Sequence, residues 1–186
     1  MLFLSPWCKI TQYAIVQKKE NSAPAPAGST GGAVPRWEAT TMNYTFDQYR
    51  QSADALLAKL GDFRPKVALV LGSGLGYLGD LVENPIAVPY TAIPHFKTST
   101  APGHKGQLVF GTLAGQPVAV MQGRVHHYEG YSYEEVSYAV RVLRLLGCQT
   151  LLVTNAAGGV NWNFKAGDLM LITDQIKILM ESPLRG

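Results

Sequence analysis

The densest group of side chains that could do chemistry lies in the segment 118–130, which reads VAVMQGRVHHYEG. Its apolar start predicts a buried strand, and Arg124 and His126 follow directly after that strand. A guanidinium can hold a phosphate through two parallel hydrogen bonds, and an imidazole can add another donor. Two residues apart on an extended segment, these side chains point to the same side. The segment therefore predicts an anion-binding strand end, the part of an α/β protein where ligands commonly bind.

Two glycine-rich segments follow other apolar runs and are the expected companions of this strand end. The segment GSGLG (72–76) comes after a strand predicted at 66–71, and NAAGG (155–159) comes after one predicted at 150–154. Small residues let backbone N–H groups approach an anion closely, and Ser73 could add a hydroxyl donor. We therefore expect three strand ends to converge on one phosphate.

Other chemical interpretations of the same residues are less well supported. The sequence GLGYLG at 74–79 matches the dinucleotide-binding pattern GxGxxG, but that pattern needs an acidic residue about 20 positions further on. No Asp or Glu lies between Glu83 and Glu129, so we disfavour a dinucleotide site. A zinc site would need cysteine ligands or a helical HxxxH spacing, and neither accompanies the histidines.

Each feature also has an ordinary structural explanation. A glycine loop taken alone is as often a tight turn without a ligand, and small residues at 155–159 would equally suit close packing of a helix on a strand. A single histidine is more often a surface residue satisfied by local hydrogen bonds. The combination of Arg124, His126 and His104 behind glycine-rich strand ends favours an anion site over these explanations.

Length and composition indicate a globular domain with a sizeable core. The chain has 186 residues, of which 47% are hydrophobic and 16% charged. The net charge is only +3 and no Lys/Arg run occurs, so a nucleic-acid partner is not expected. No apolar run reaches the roughly 18 residues of a membrane span. Cys8 and Cys148 form neither a metal cluster nor a disulfide framework, which suits a cytoplasmic protein.

The first 41 residues differ in composition from the rest. Residues 23–35 (APAPAGSTGGAVP) are rich in Ala, Pro, Gly and Ser and cannot bury an apolar face. We therefore predict a flexible N-terminal extension over 1–41, followed by a single domain over 42–186. Deleting 1–41 is accordingly expected to leave thermal stability nearly unchanged.

The remaining chain alternates helical and strand patterns, which is typical of an α/β fold. Thr45 with Gln48 forms a capping box that predicts a helix ending before Gly61, and Ser132 with Glu135 predicts a second helix. A short helix is expected after the glycine loop. Strands are predicted at 66–71, 107–113, 117–121, 150–154 and 168–173.

Six segments in order resemble purine nucleoside phosphorylases of the trimeric type. They are LGSGLG (71–76), STAPGHKGQLVFG (99–111), MQGRVHHYEGY (121–131), LLVTNAAGGVN (151–161), GDLMLITD (167–174) and PLRG (183–186). The resemblance implies an α/β fold with a mixed, partly barrel-like central sheet flanked by helices, present here in truncated form. It also implies a pentosyltransferase of purine salvage, which converts a purine nucleoside and phosphate into free base and (deoxy)ribose 1-phosphate.

The same resemblance implies roles for individual residues. Tyr128 would line the ribose pocket, and Asn155 would lie beside the base and the ribose. No cofactor and no metal are implied, and no catalytic nucleophile on the protein, because inorganic phosphate is a co-substrate that attacks the sugar itself. A homotrimer is expected of the full-length family member. The implied phosphate-binding groups are Ser73, His104, Arg124, His126 and the backbone N–H of Ala156.

Members of that family continue past the segment that resembles PLRG, and the further part supplies the residues that recognise the purine. The present chain would then hold most of the phosphate site and little of the base site. Two alternatives stay open: a 5′-methylthioadenosine-type phosphorylase, and an inactive fragment that binds phosphate or nucleoside. The residues do not decide between 6-oxopurines and adenosine as the preferred base.

Overall fold

Seven strands and two α-helices make up the regular structure of the residues that a computed structural model describes, which are 9–17, 44–72, 74–98 and 105–176. The helices are α1 (Phe46–Leu60) and α2 (Tyr133–Leu145). The strands are β1 (Lys9–Gln17), β2 (Val67–Val70), β3 (Glu83–Pro89), β4 (Gln107–Leu113), β5 (Gln116–Gln122), β6 (Thr150–Gly158) and β7 (Leu169–Ile172). Within this part of the chain no helix is long and apolar enough to cross a membrane.

All seven strands belong to one mixed sheet, in the order β3-β4-β5-β2-β6-β1-β7. The short strand β2 lies at its centre and runs parallel to β5 on one side and to β6 on the other. Val70 near the end of β2 is level with Met121 and with Val153. The strands β2 and β5 therefore end almost level with each other, while β6 continues past them to Gly158. The predicted α/β class with a mixed sheet is confirmed.

Both predicted capping boxes are present, and each starts a helix where the sequence indicated. Gln48 Oε1 accepts a hydrogen bond from the backbone N–H of Thr45 at 2.8 Å, and the Thr45 hydroxyl accepts one from the N–H of Gln48 at 3.4 Å. Ser132 and Glu135 make the same reciprocal pair at 3.2 and 2.8 Å. Such a cap stabilises a helix by about 1 kcal/mol because it satisfies N–H groups that the first turn leaves unpaired.

The two faces of the sheet bury different elements. Side chains alternate between faces along a strand, so Ala68 and Val70 of β2 point one way and Leu69 points the other. The first face packs against α1 and α2, whose most deeply buried members include Leu56, Tyr138, Val142 and Leu143. The second face packs against the segment after the glycine loop, a 3₁₀ helix at Gly76–Leu81, through Leu75, Leu78, Val118 and Val120.

The expected flexible extension over 1–41 is corrected at β1. These nine residues (KITQYAIVQ) pair in parallel with β6, from Lys9 opposite Thr150 to Gln17 opposite Gly158, and antiparallel with β7. The segment is rich in β-branched and aromatic residues, which favour a strand. The low-complexity composition at 23–35 does not extend back to it. Residues 1–8 and 18–41 lie outside the described part of the chain, so their flexibility stays a prediction.

Strand β3 is a second element that the sequence patterns did not predict. It contains two prolines, Pro85 and Pro89, which argue against an ordinary strand because proline cannot donate a ladder hydrogen bond. The structure accommodates them because β3 lies at the edge of the sheet and pairs with β4 alone. Its register shifts between Glu83 and Ile86, where Asn84 has a φ of 50°.

Candidate functional site

The three predicted segments meet where β2 and β5 end beside Thr154, in the middle of β6. Thr154 on β6 contacts both of the others. Its hydroxyl accepts a hydrogen bond from the backbone N–H of Gly72 at 2.8 Å, and its carbonyl accepts one from Arg124 Nη1 at 3.0 Å. The predicted convergence of the glycine loop, the arginine segment and the chain around Thr154 is therefore confirmed as an arrangement of the chain.

Gly72 is a glycine because the glycine loop crosses the middle of β6 at very short range. A Cβ atom at this position would lie 2.6 Å from the carbonyl oxygen of Thr154 and 2.8 Å from Cα of Asn155. Both neighbours are backbone atoms, which cannot move aside as a flexible side chain can. Close backbone approach thus fixes where the loop begins relative to β6.

Arg124 is a cation held partly out of water. Burial lowers the pKa of its guanidinium from the ordinary value, and the neighbouring Tyr128 acts in the opposite direction. An arginine in a protein nevertheless stays protonated, so the site keeps its positive charge. A half-buried guanidinium beside a glycine-rich loop suits a bound anion, because electrostatic attraction is stronger where water is partly excluded.

His126 is held in place by a buried carboxylate, that of Glu129, whose side chain is only 4% exposed. Glu129 Oε1 accepts a hydrogen bond from the backbone N–H of His126 at 2.9 Å and lies 2.7 Å from the ring atom Nδ1. Because a carboxylate only accepts hydrogen bonds, Nδ1 carries the hydrogen in this pair. Glu129 therefore fixes the orientation of the imidazole at the site.

The two aromatic neighbours in this segment have different surroundings. The ring of Tyr128 stacks on that of His126, with centroids 4.8 Å apart, and 78% of Tyr128 is exposed beside the site. His127 instead places Nδ1 at 2.8 Å from the carbonyl oxygen of Tyr131 and stacks on Tyr133 with centroids 4.3 Å apart. Tyr128 thus borders the site, whereas His127 anchors the segment that leads into α2.

Asn155 and Ala156 lie in a strand rather than in the loop expected after 154. Strand β6 continues to Gly158, and its outer part pairs with β1, with Ala14 opposite Asn155 and Ile15 opposite Ala156. The Asn155 side chain donates a hydrogen bond to the carbonyl oxygen of Ala156 at 3.3 Å. Both residues are half-buried next to Gly72, so they lie at the same sheet edge as Arg124.

Two of the predicted phosphate ligands, Ser73 and His104, lie outside the described residues. Their flanking residues are described: Gly72 and Gly74 on either side of Ser73, and Lys105 directly after His104. The roles of Ser73 and His104 stay predictions. In the part of the chain that the structure describes, no three His, Cys, Asp or Glu side chains cluster in a way that could hold a metal ion.

Sequence reasoning left two residues of this site without a role. Glu129 was unassigned, although its position three residues after His126 is the spacing of a capping box, which the structure contains. For Thr154, the apolar run 150–154 predicts only the end of a strand. Thr154 is only 7% exposed, and its hydroxyl also donates to the carbonyl oxygen of Val70 at 3.0 Å. A buried threonine at the end of a strand was the only available indication.

An α/β sheet that presents a half-buried arginine, an oriented histidine and a glycine loop close together has the arrangement with which α/β sheets commonly bind ligands. Comparison with known proteins identifies the family, because the sequence profile described as the phosphorylase superfamily matches residues 66–186. The chain belongs to the phosphorylase superfamily.

Named relatives agree with this assignment. Purine nucleoside phosphorylase 1 of Bacillus subtilis is 58% identical over 122 residues, which cover 66% of this chain and 45% of the relative. Purine nucleoside phosphorylase of Bos taurus is 50% identical over 146 residues, covering 77% of this chain and 50% of the relative. The chain therefore spans about half the length of these relatives.

A solved structure supports the fold. Isoform 2 of purine nucleoside phosphorylase from Schistosoma mansoni, in complex with cytosine and ribose-1-phosphate, superposes with a TM-score of 0.61 at 40% sequence identity. The matched region covers 67% of this chain and 43% of that one. The fold is thus that of the nucleoside phosphorylases, present over part of its length.

Proposed function

We propose that this chain is part of a purine nucleoside phosphorylase, which cleaves purine (deoxy)ribonucleosides with inorganic phosphate to free base and (deoxy)ribose 1-phosphate. One structural observation supports the proposal above the others: the half-buried Arg124 donates a hydrogen bond to Thr154, at the point where the glycine loop begins with Gly72. The similarity to purine nucleoside phosphorylases at 58% and 50% identity supports the choice of substrate class.

The described residues are suited to hold the nucleophile of this reaction. A phosphate oxygen attacks C1′ of the sugar, the bond from C1′ to the base nitrogen breaks, and the bonding electrons leave with the base, which takes up a proton. Arg124 would bind the phosphate through charge-assisted hydrogen bonds. His126, oriented by Glu129, would contribute a second contact. Holding phosphate and sugar in line is worth up to ~7–11 kcal/mol in favourable cases.

The proposal also covers the contacts with the sugar and the base, the need for a cofactor, and the location and oligomeric state of the whole protein. Tyr128 would contact the ribose from its exposed position beside His126, and Asn155 would lie beside the base and ribose. No cofactor is needed, since phosphate is the co-substrate. The whole protein would act in the cytoplasm as a homotrimer. The remaining proposed phosphate-binding groups are Ser73, His104 and the backbone N–H of Ala156.

Titration of the chain with inorganic phosphate tests the phosphate site directly. Calorimetry of the native chain should detect one phosphate site per chain. In Arg124→Ala that affinity should fall by about tenfold or more, because a charge-assisted pair is worth about 1.5–3 kcal/mol. Arg50→Ala is the matched control, since it removes the same charge from an exposed position on α1. Equal affinities in Arg124→Ala and in the native chain would contradict the proposal.

Substrate class is tested separately, by adding inosine, adenosine or 5′-methylthioadenosine with phosphate and following release of the free base. The proposal expects inosine or adenosine to be cleaved in preference to 5′-methylthioadenosine. Preferred cleavage of 5′-methylthioadenosine would favour the methylthioadenosine-type reaction instead. Phosphate binding without cleavage of any nucleoside would indicate that this chain is a binding fragment.

A further inference from the structure

Gln122, the last residue of β5, is a buried amide on an otherwise apolar face. It is 2% exposed and shares its side of the strand with Val118 and Val120, which pack in the core of the second face. Burying an amide is unfavourable unless its hydrogen bonds are made inside the protein. An apolar side chain would be expected at this position if packing were its only role.

Both ends of the Gln122 side chain are engaged by other segments. Nε2 donates to the carbonyl oxygen of Gly76 at 2.8 Å and to Asp80 Oδ1 at 3.1 Å, so it joins β5 to the two ends of the 3₁₀ helix Gly76–Leu81. Oε1 accepts from Gln107 Nε2 at 2.7 Å, which joins β5 to the start of β4. One side chain therefore ties together three segments that are distant in sequence.

Backbone and surface contacts strengthen the same connection. The carbonyl oxygen of Gln122 accepts from the N–H of Gly106 at 2.9 Å, and Lys105 Nζ lies 2.5 Å from Asp80 Oδ1. Hydrogen bonds from Lys105 and then from Gln122 lower the pKa of the Asp80 carboxyl, which keeps it ionised. The ion pair between Lys105 and Asp80 is exposed and alone adds little to the stability of the protein. Its position matters more, because Lys105 directly follows His104.

The space around Gln122 is fitted to its amide. A Cβ atom at Gly79 would lie 2.2 Å from Gln122 Nε2, so a glycine in the 3₁₀ helix leaves the room that the amide occupies. A carboxylate at position 122 would face the carbonyl oxygen of Gly76 and the carboxylate of Asp80. Since these are all acceptors, only a side chain with both a donor and an acceptor satisfies the pocket.

We propose that Gln122 is a positioning residue of the phosphate site. It fixes the glycine loop, the segment 105–107 and Arg124, two residues further along the chain, in one relative arrangement, without contacting phosphate itself. This inference rests on the proposed function, because the glycine loop contains Ser73, the segment 105–107 directly follows His104, and Arg124 is itself a proposed phosphate ligand. The relative placement of these segments would thus depend on a residue that lies outside the site.

Gln122→Met tests the proposal, because methionine has a similar length but makes none of the amide's hydrogen bonds. Amide hydrogen exchange should accelerate about tenfold at both 74–81 and 105–107, and phosphate affinity should fall about three- to tenfold, as expected for one or two lost hydrogen bonds. Gln116→Met, at the exposed opposite end of β5, should change neither quantity. Val142→Ala, a cavity variant on α2, shows the effect of lost stability alone.

The outcomes separate this proposal from the proposed function. Unchanged exchange at 74–81 and 105–107 in Gln122→Met would overturn the positioning role, even if the native chain binds phosphate. Weakening of phosphate binding in Val142→Ala equal to that in Gln122→Met would reduce the role to general stability and also overturn it. A native chain that binds no phosphate would overturn the proposed function, while the exchange data would still decide whether Gln122 couples the segments.

If Gln122→Met does not fold, Asp80→Ala should show a smaller acceleration of hydrogen exchange in the same two segments. The absence of any acceleration in Asp80→Ala would contradict the proposal.

Discussion

The hydroxyl of Thr154 accepts a hydrogen bond from the backbone N–H of Gly72 at 2.8 Å, which joins the middle of β6 to the start of the glycine loop. The same hydroxyl donates to Val70, so it uses both of its hydrogen-bonding functions inside the protein. A single buried side chain thus holds the end of β2 and the start of the glycine loop against the middle of β6. The geometry of the proposed anion site therefore depends on this contact as well as on the residues that would bind the anion.

Thr154→Val should therefore destabilise the protein although it preserves the shape of the side chain. The N–H of Gly72 would be buried without an acceptor, which costs about 1–3 kcal/mol. Urea unfolding monitored by circular dichroism measures the change. Thr154→Ser keeps the hydroxyl and should cost less than the valine variant. A valine variant at least as stable as the serine variant would contradict the hydrogen-bonding role.

Gly72→Ala should be strongly destabilising, whereas Gly76→Ala in the same loop should not. A Cβ at Gly72 meets backbone atoms at 2.6 and 2.8 Å, but a Cβ at Gly76 meets nothing within 4 Å. Forced contacts of this kind typically cost about 1–3 kcal/mol. Thermal unfolding of the two variants gives the comparison, and similar melting temperatures would contradict the close approach of the loop to β6.

Glu129→Ala should lower stability by about 1–3 kcal/mol, because the half-buried N–H of His126 loses its acceptor. Glu129→Gln should recover part of the loss, since an amide oxygen can still accept from that N–H. Equilibrium unfolding in urea measures both variants. An alanine variant that equals the glutamine variant would show that the hydrogen bond to the His126 N–H adds nothing to stability.

Cys148 makes stability depend on pH in the alkaline range. Burial raises the pKa of its thiol from 9.0 to about 12, while Arg144 acts in the opposite direction. Above about pH 9 the unfolded chain ionises this thiol and the folded chain does not, so stability should fall as pH rises from about 9 towards 12. The slope of unfolding free energy between pH 9 and 11 should be shallower in Cys148→Ala, and identical slopes would contradict the assignment.

Because of strand β1, deleting residues 1–41 should affect the melting temperature, contrary to the expectation from their composition. Deleting residues 1–41 removes the strand that lies between β6 and β7, so the melting temperature should fall, by about 2–4 °C for each 1 kcal/mol lost. Tyr13→Pro, which interrupts the middle of β1, should lower it as well. Ser29→Pro, within 23–35, is the matched control. An unchanged melting temperature after the deletion would restore the original expectation.

The helices could be predicted because their determinants are local. Thr45 with Gln48, and Ser132 with Glu135, lie three residues apart, so the pattern can be read from the sequence without knowing the fold. The strands β4 and β5 were predicted from apolar runs around a turn. Strand β3 was not, because its prolines are compatible with a strand only at the edge of a sheet, and edge position is a property of the whole fold.

The residues of the candidate site likewise divide into those that the sequence predicts and those that it does not. Arg124 and His126 could be proposed from residue type and spacing alone. Their supports could not, because Thr154 and Gln122 act through partners that only strand register brings near. Gln122 meets Gln107 because β4 and β5 pair these two positions, and Thr154 meets Gly72 because β2 and β6 run side by side. Hydrogen bonds between distant segments are not encoded in any short pattern.

The place of β1 in the sheet has a consequence for biosynthesis. A ribosome delivers Lys9 long before Thr150, its partner in β6, and β7 comes later still. The first strand to emerge therefore waits, unpaired, until nearly all the described chain has been made. Pairing over such a sequence separation is slow, and an unpaired strand is prone to associate with other chains. Of the strands described, the one translated first can be placed only after β6 has been made, and β7, which pairs with β1 alone, can be placed only after β1.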